Sequence, residues 1–158
     1  MLAIFSNLPA GVVRADEGER YGVIGHTITV KSHGQETSGA AFIWETQSLP
    51  GAIVPARIHR IEDELIYLVE GQLEVTVGEE TYSLQPGDLV KMPRNVAHAI
   101  RSVGTGVAKT LWTVVPAGKM EGLFRALGAL PSDQPPDLER IVQLFREHDI
   151  ELLPPPGA

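Results

Sequence analysis

Residues 51–71 read GAIVPARIHRIEDELIYLVEG and decide the fold. Two β-rich runs lie on either side of a short polar link, and a glycine stands at each end of the stretch. Arg57 and His59 are two residues apart, so on a strand their side chains point to the same face. A tight connection after His59 is expected to bring Glu64 onto the adjacent strand, opposite them.

Turn residues divide most of the remaining chain into short strands. The 16 glycines and 12 prolines recur between β-rich runs, a spacing typical of a sandwich or barrel of short strands. Leu73, Val75 and Val77 alternate with polar residues and therefore share one face of a strand. Gly104–Gly106 is interpreted as a hairpin turn. Further strands are predicted at residues 41–46, 65–69, 81–84, 89–92, 96–102 and 108–115.

After Pro116 the apolar residues recur at helical spacing. One helix is predicted around Leu123, Phe124, Leu127 and Leu130, closed by Gly128 and Pro131, and a second from Pro136-Asp137 with Leu138, Ile141, Val142, Leu144 and Phe145 along one stripe. Both should pack on the outside of the β unit. We therefore divide a single domain into an N-terminal arm (1–20), a barrel (21–116), and helices with a proline-rich tail (117–158).

Composition limits the classes of function. A formal net charge of −7 makes a nucleic-acid backbone an unfavourable partner. The chain has no cysteine, so any metal ion must be held by His, Asp or Glu. No apolar run reaches membrane-spanning length, and the start lacks the basic and apolar regions of a signal peptide. We therefore expect a cytoplasmic protein that does not contact membranes.

Three residues are candidate metal ligands: His59, Glu64 and His98. Two neutral imidazoles and one carboxylate on a single face suit an octahedral Fe(II), Mn(II) or Ni(II) site with open positions, and zinc is a further candidate. From spacing alone, ordinary core or surface histidines are the alternative. The other histidines are interpreted as surface residues at His26 and His33, and as a residue near the end of the last helix at His148.

The order of these residues resembles two cupin motifs. The first motif, Gly-x5-His-x-His-x4-Glu-x6-Gly, is matched by Gly51, His59, Glu64 and Gly71, and the second, Gly-x5-Pro-x-Gly-x2-His-x3-Asn, by Gly87, Pro93 and His98. Residues 20–158 are similar to small bacterial single-domain cupins of the quercetin-dioxygenase-like kind. The resemblance implies an all-β cupin barrel, a double-stranded β-helix or jelly roll, with two C-terminal helices outside.

The chain departs from the second motif at Asn95 and Ser102, which are turn or rim positions, and from the first motif at Arg57. Arg57 stands where the family has its first ligand histidine, and arginine offers only donors and stays protonated, so it cannot bind a metal. In one arrangement Arg57 lies at the pocket mouth and anchors an anionic substrate, while the three ligands keep a metal. In the other, Arg57 pairs with Glu64 in the metal position and the cupin is metal-free.

Three functions follow as hypotheses. The leading one, from the resemblance, is a metal-dependent dioxygenase-type oxidoreductase acting on a small aromatic or enolic molecule, with Arg57 and Glu64 as catalytic residues and Glu64 as a possible base. A metal-free small-molecule (anion) binding cupin and a cupin isomerase or lyase are the alternatives. A homodimer is expected. Tyr67 should face away from the site, and the candidate lining residues are Phe42, Trp44, Ile66, Met92, Ile100 and Trp112.

Overall fold

The computed structural model describes residues 7–154, so the first six residues of the expected arm and the last four of the tail lie outside the described part. Within it the chain forms eleven strands and two helices. In chain order these are β1 (Arg20–Val23), β2 (His26–Ser32), β3 (Phe42–Ser48), β4 (Ile53–His59), β5 (Asp63–Glu70), β6 (Gln72–Val77), β7 (Glu80–Leu84), β8 (Leu89–Met92), β9 (His98–Val103), β10 (Ala108–Val115), α1 (Met120–Gly128), α2 (Leu138–Glu147) and β11 (Ile150–Leu152).

The strands form two antiparallel sheets that enclose the core. One has six strands in the order β1-β2-β3-β10-β5-β8, and the other has five in the order β11-β4-β9-β6-β7. Alternate side chains of β6 point inward, as the strict alternation of Leu73 and Val75 predicted. The predicted β barrel with two C-terminal helices is confirmed.

Aromatic side chains fill the centre of the six-stranded sheet. Trp44 stacks on Phe42 with ring centroids 5.0 Å apart and on Trp112 at 5.5 Å. Trp44 and Trp112 face each other directly across β3 and β10. Phe124 of α1 meets the Trp44 ring edge-on at 5.1 Å, so the first helix packs against the barrel core through its apolar side.

Two predictions of local connectivity are wrong. Gly104–Gly106 joins β9 and β10, which belong to different sheets, so this turn is a corner of the barrel rather than a hairpin. The link after His59 likewise carries the chain from the five-stranded to the six-stranded sheet. Glu64 therefore reaches Arg57 from the facing sheet, and not from an adjacent strand. Turn residues mark where a strand ends, but the sheet that the next strand joins is decided by packing.

The C-terminal region adds one element that the sequence did not predict. β11 pairs antiparallel with β4, placing Ile150 opposite His59 and Leu152 opposite Arg57. The second helix begins where predicted, because the Asp137 carboxylate accepts a hydrogen bond from the Arg140 backbone at 3.0 Å. No helix in residues 7–154 has both the length and the apolar character needed to cross a membrane.

Candidate functional site in the barrel

Four polar side chains meet inside the barrel, and we call them the Arg57 cluster: Arg57, His59, Glu64 and His98. β4 carries Arg57 and His59, and β9 places His98 directly opposite Arg57. β5 brings Glu64 from the facing sheet. Each of the four residues is at most 2% exposed. Water is therefore excluded, and each charge must be balanced by a neighbouring side chain.

The guanidinium of Arg57 lies between the other members of the cluster. Its Nε donates to Nε2 of His59 at 3.1 Å, and its Nη2 donates to Oε2 of Glu64 at 2.8 Å. Both acceptors belong to candidate metal ligands. The structure thus places Arg57 in the interior arrangement, not at the pocket mouth.

The hydrogen bonds fix the tautomers of both histidines. Nδ1 of His98 lies 3.1 Å from the Val96 carbonyl, which can only accept, so Nδ1 carries the proton. Nε2 of His59 accepts from Arg57, so its proton is on Nδ1, which donates to Oε2 of Glu62 at 3.3 Å. The lone pair of Nε2 of His59 therefore points at Arg57, whereas Nε2 of His98 lies beside Oε2 of Glu64.

Electrostatics keep Glu64 ionised. Burial raises the pKa of its carboxyl, and the adjacent charge of Arg57 is the largest influence in the opposite direction, so that the pKa falls to about 2. Burial, and then the charge of Arg57, lower the pKa of His98, so its ring is neutral. Burial also lowers the pKa of Arg57, while Glu64 opposes that change and the guanidinium stays protonated. Arg57 and Glu64 thus form a buried, internally neutral ion pair.

Three atoms of the cluster lack a hydrogen-bond partner within the described part of the chain: Nη1 of Arg57, Oε1 of Glu64 and Nε2 of His98. Nε2 of His98 lies 3.1 Å from Oε2 of Glu64, but the contact does not have hydrogen-bond geometry. With the proton of His98 on Nδ1, both of these atoms are acceptors. The cluster therefore offers one free donor group and two free acceptors.

An apolar cavity of about 180 Å³ lies between the barrel and the two helices, and we call it the helix-covered cavity. Arg57 lines it, whereas His59, Glu64 and His98 do not, so Arg57 is the member of the cluster that borders the cavity. The Arg57 guanidinium carbon is 5.9 Å from the Trp112 ring centroid. The aromatic lining residues are Trp44, Trp112, Phe124 and Phe145.

The six candidate lining residues separate into two groups. Trp44 and Trp112 line the helix-covered cavity. The other four are buried in the core and are not part of that lining: Phe42, Ile66, Met92 and Ile100. Tyr67 faces away from the site, as its odd spacing from Glu64 predicted, and is 43% exposed.

The remaining histidines are partly buried, which corrects the expectation of two surface residues. His26 lines the helix-covered cavity, and its ring nitrogens lie 2.9 Å from the Ser48 hydroxyl and 3.2 Å from the Ile53 carbonyl. His33 pairs with Glu121 at 2.8 Å. The turn after β1 folds toward the helices, a placement that local sequence does not encode. His148 follows α2, and its Nδ1 donates to the Leu144 carbonyl at 2.7 Å.

Comparison with known proteins agrees with the barrel fold. Residues 44–114 match the family model of the cupin domain. The barrel is therefore of the cupin type. The chain is similar to quercetin 2,3-dioxygenase of Bacillus subtilis (strain 168), with 26% identity over 165 residues, covering 98% of this chain and 48% of that relative. The chain spans about half the length of the curated relatives it matches.

Solved structures support the same fold. KdgF from Halomonas sp. superposes with a TM-score of 0.63 at 20% identity, covering 70% of the present chain and 99% of the KdgF chain. An RmlC-like cupin from Shewanella frigidimarina also gives 0.63, at 18% identity, covering 73% and 98%. At these identities the likeness concerns the barrel alone.

The donor set of the cluster fits a divalent metal only in part. His59, Glu64 and His98 offer ligand atoms within 4.8 Å of one another, with lone pairs in suitable tautomers. Arg57 does not fit, because its donors occupy Nε2 of His59 and Oε2 of Glu64 and its positive charge repels a cation. A metal ion and this position of Arg57 therefore exclude each other.

Proposed function

We propose that this cupin binds a small, single-ring aromatic or enolic molecule in the helix-covered cavity, with no metal ion in the Arg57 cluster. The observation that carries the proposal is the position of Arg57. Two of its nitrogens donate hydrogen bonds to His59 and Glu64, while Nη1 has no hydrogen-bond partner within residues 7–154. Arg57 also borders an apolar cavity. An unpaired buried donor beside an apolar cavity is suited to an oxygen atom of a ligand.

The size of the cavity limits the ligand. A cavity of roughly 150 Å³ is enough to hold benzene, whereas drug-sized molecules occupy pockets of roughly 300–1,000 Å³. The helix-covered cavity, at about 180 Å³, therefore suits one ring with a few substituents. A three-ring flavonol such as quercetin does not fit unless the helices move.

The residues that line the helix-covered cavity would supply the contacts that recognise the ligand. Trp44, Trp112 and Phe124 offer ring surfaces for stacked or edge-on contact. Arg57 offers a charge-assisted donor to a phenol, carbonyl or carboxylate oxygen. Because Glu64 already balances the charge of Arg57, a neutral ligand oxygen is compatible with the site, and an anion gains less than it would from an unpaired arginine.

A second candidate is a metal-dependent dioxygenase-type oxidoreductase. The contact between Nε2 of His98 and Oε2 of Glu64, two acceptors 3.1 Å apart, favours it, because a shared cation would stabilise that contact. The similarity to a quercetin 2,3-dioxygenase points the same way. His59, Glu64 and His98 would hold the ion, which would supply open positions for substrate and dioxygen. This function requires Arg57 to leave the cluster.

Ligand binding is tested with the chain's own fluorophores. Both tryptophans, Trp44 and Trp112, line the cavity, so their emission reports its occupancy. After dialysis against a chelator, titration with phenol, catechol or benzoate is expected to give a saturable change in emission. Calorimetry on the same samples gives the affinity.

A matched pair of double variants isolates the role of Arg57. Arg57→Met/Glu64→Gln removes the buried ion pair together, whereas Arg101→Met/Glu74→Gln removes an exposed pair of 2.9 Å on the five-stranded sheet. The first double variant should lower the ligand affinity about tenfold or more, which is the effect of losing one charge-assisted hydrogen bond. The second should leave the affinity unchanged. Equal affinity in the two variants would contradict the proposal.

A further inference from the structure

Glu62 is a buried carboxylate that the sequence identified only as part of a polar link. It is fully buried, and its two oxygens contact two different elements. Oε2 accepts from Nδ1 of His59 at 3.3 Å, and Oε1 accepts from the backbone N–H of Lys119, immediately before α1, at 3.1 Å. The sequence signal that could have identified it is a carboxylate three residues after a strand histidine.

The hydrogen bond between Glu62 and His59 affects the contact that His59 makes with Arg57. A neutral imidazole has one N–H and one lone pair, so a proton on Nδ1 leaves Nε2 as an acceptor. Nε of Arg57 donates to that acceptor. If the proton moved to Nε2, two donors would face each other and Arg57 would lose this contact. Glu62 and Arg57 thus favour the same tautomer of His59 from opposite sides of the ring.

The bond to Lys119 links the cluster to the cavity. The N–H groups at a helix start lack partners within the helix and attract a negative charge. α1 carries Met120, Leu123, Phe124 and Leu127, all of which line the helix-covered cavity. The Glu62 carboxylate therefore bonds both to a ring of the cluster and to the element that covers the cavity.

We propose that Glu62 is a positioning residue: it holds His59 as the Nδ1–H tautomer, keeps Arg57 turned into the cluster, and fixes the start of α1 above it. The proposal concerns the chain itself and does not depend on the identity of any ligand. It is independent of the ligand-binding experiment, so either can fail while the other succeeds.

The test is long-range proton–nitrogen correlation NMR of the histidine rings in the full chain. In the unmodified protein near neutral pH, His59 should show a protonated Nδ1 and an unprotonated Nε2, and the Lys119 amide should be protected from hydrogen exchange. In Glu62→Met, which removes both acceptor oxygens, the His59 signals should move toward the other tautomer and the Lys119 amide should exchange at least tenfold faster.

The control is Glu121→Met, which removes the carboxylate partner of a different histidine, His33. It should change the His33 signals and leave those of His59 as they were. Unchanged His59 signals in a folded Glu62→Met protein would overturn the proposal. If that variant does not fold, the unmodified protein still decides: a proton on Nε2 of His59, or an unprotected Lys119 amide, overturns it.

Discussion

At the scale of single residues, Arg57 determines the chemistry of the site. The cupin motif places a ligand histidine at this position, which would offer a lone pair, whereas arginine offers only donors. Those donors form hydrogen bonds to His59 and Glu64 inside the barrel, where the Arg57 side chain is 1% exposed. One residue type thus turns two of the three potential metal ligands into hydrogen-bond acceptors of a buried guanidinium, while Nε2 of His98 has no partner within residues 7–154.

The ion pair predicts an acid-sensitive contribution to stability from Glu64. Its pKa is about 2 in the folded protein, below the ordinary value of 4.5, so the folded state favours the charged form. The stabilisation is present above about pH 4.5 and is lost as the pH falls toward 2, and a shift of this size corresponds to about 3 kcal/mol. Urea unfolding at pH 7 and at acid pH should show this loss in the unmodified protein and not in Glu64→Gln.

The neighbouring residue Asp63 supplies the control. Hydrogen bonds from Arg94 lower its pKa to about 2 as well, but both side chains are over 40% exposed, so solvent screens their interaction. Asp63→Asn should therefore retain most of the acid-dependent loss. An identical pH dependence in Glu64→Gln and the unmodified protein would show that the buried pair does not contribute.

At the scale of secondary-structure elements, the sequence predicted the features that depend only on residues close together in the chain. Alternation identified the inward faces of the strands, and Asp137 marked the start of α2. It did not predict that β4 and β5 belong to different sheets, because turn residues do not specify the partner of the next strand. β11 has three residues and exists through its pairing with β4, so no periodic pattern could identify it.

The segment between β10 and α1 yields a prediction about glycine. Gly118 has φ +53°, and a Cβ there would lie 1.9 Å from Oε1 of Glu62. Gly118→Ala should therefore lower the free energy of unfolding by more than the roughly 1–2 kcal/mol of a left-handed backbone alone, because the carboxylate must also move. Urea unfolding measures the difference.

Gly39→Ala is the matched variant, since Gly39 also has a positive φ, of +81°, but no atom lies within 4 Å of the added Cβ. It should show only the backbone cost. If both alanine variants lower the free energy of unfolding by the same amount, the close approach of Gly118 to Glu62 does not affect stability.

At the scale of the whole molecule, the cavity arises from the union of two parts. The barrel supplies Arg57 and the two tryptophans, and the helices supply Phe124 and Phe145. The motifs predicted the barrel and named all four members of the Arg57 cluster. They left two directions open for Arg57, because a long side chain is oriented by packing and not by its position in a motif. The homodimer stays a prediction, which sedimentation velocity measures.

The central claim is that Arg57 occupies the metal position, and metal stoichiometry tests it most directly. Glu19, His33 and Glu121 form a second, more exposed group with ligand atoms within 4.8 Å, so the measurement uses His33→Ala as the background. The protein is incubated anaerobically with Fe(II), Mn(II), Ni(II) or Zn(II), desalted and analysed by mass spectrometry. We predict almost no bound metal in this background and about one ion per chain after Arg57→His is added. One tightly bound ion in the presence of Arg57, lost on His98→Ala, would contradict the account.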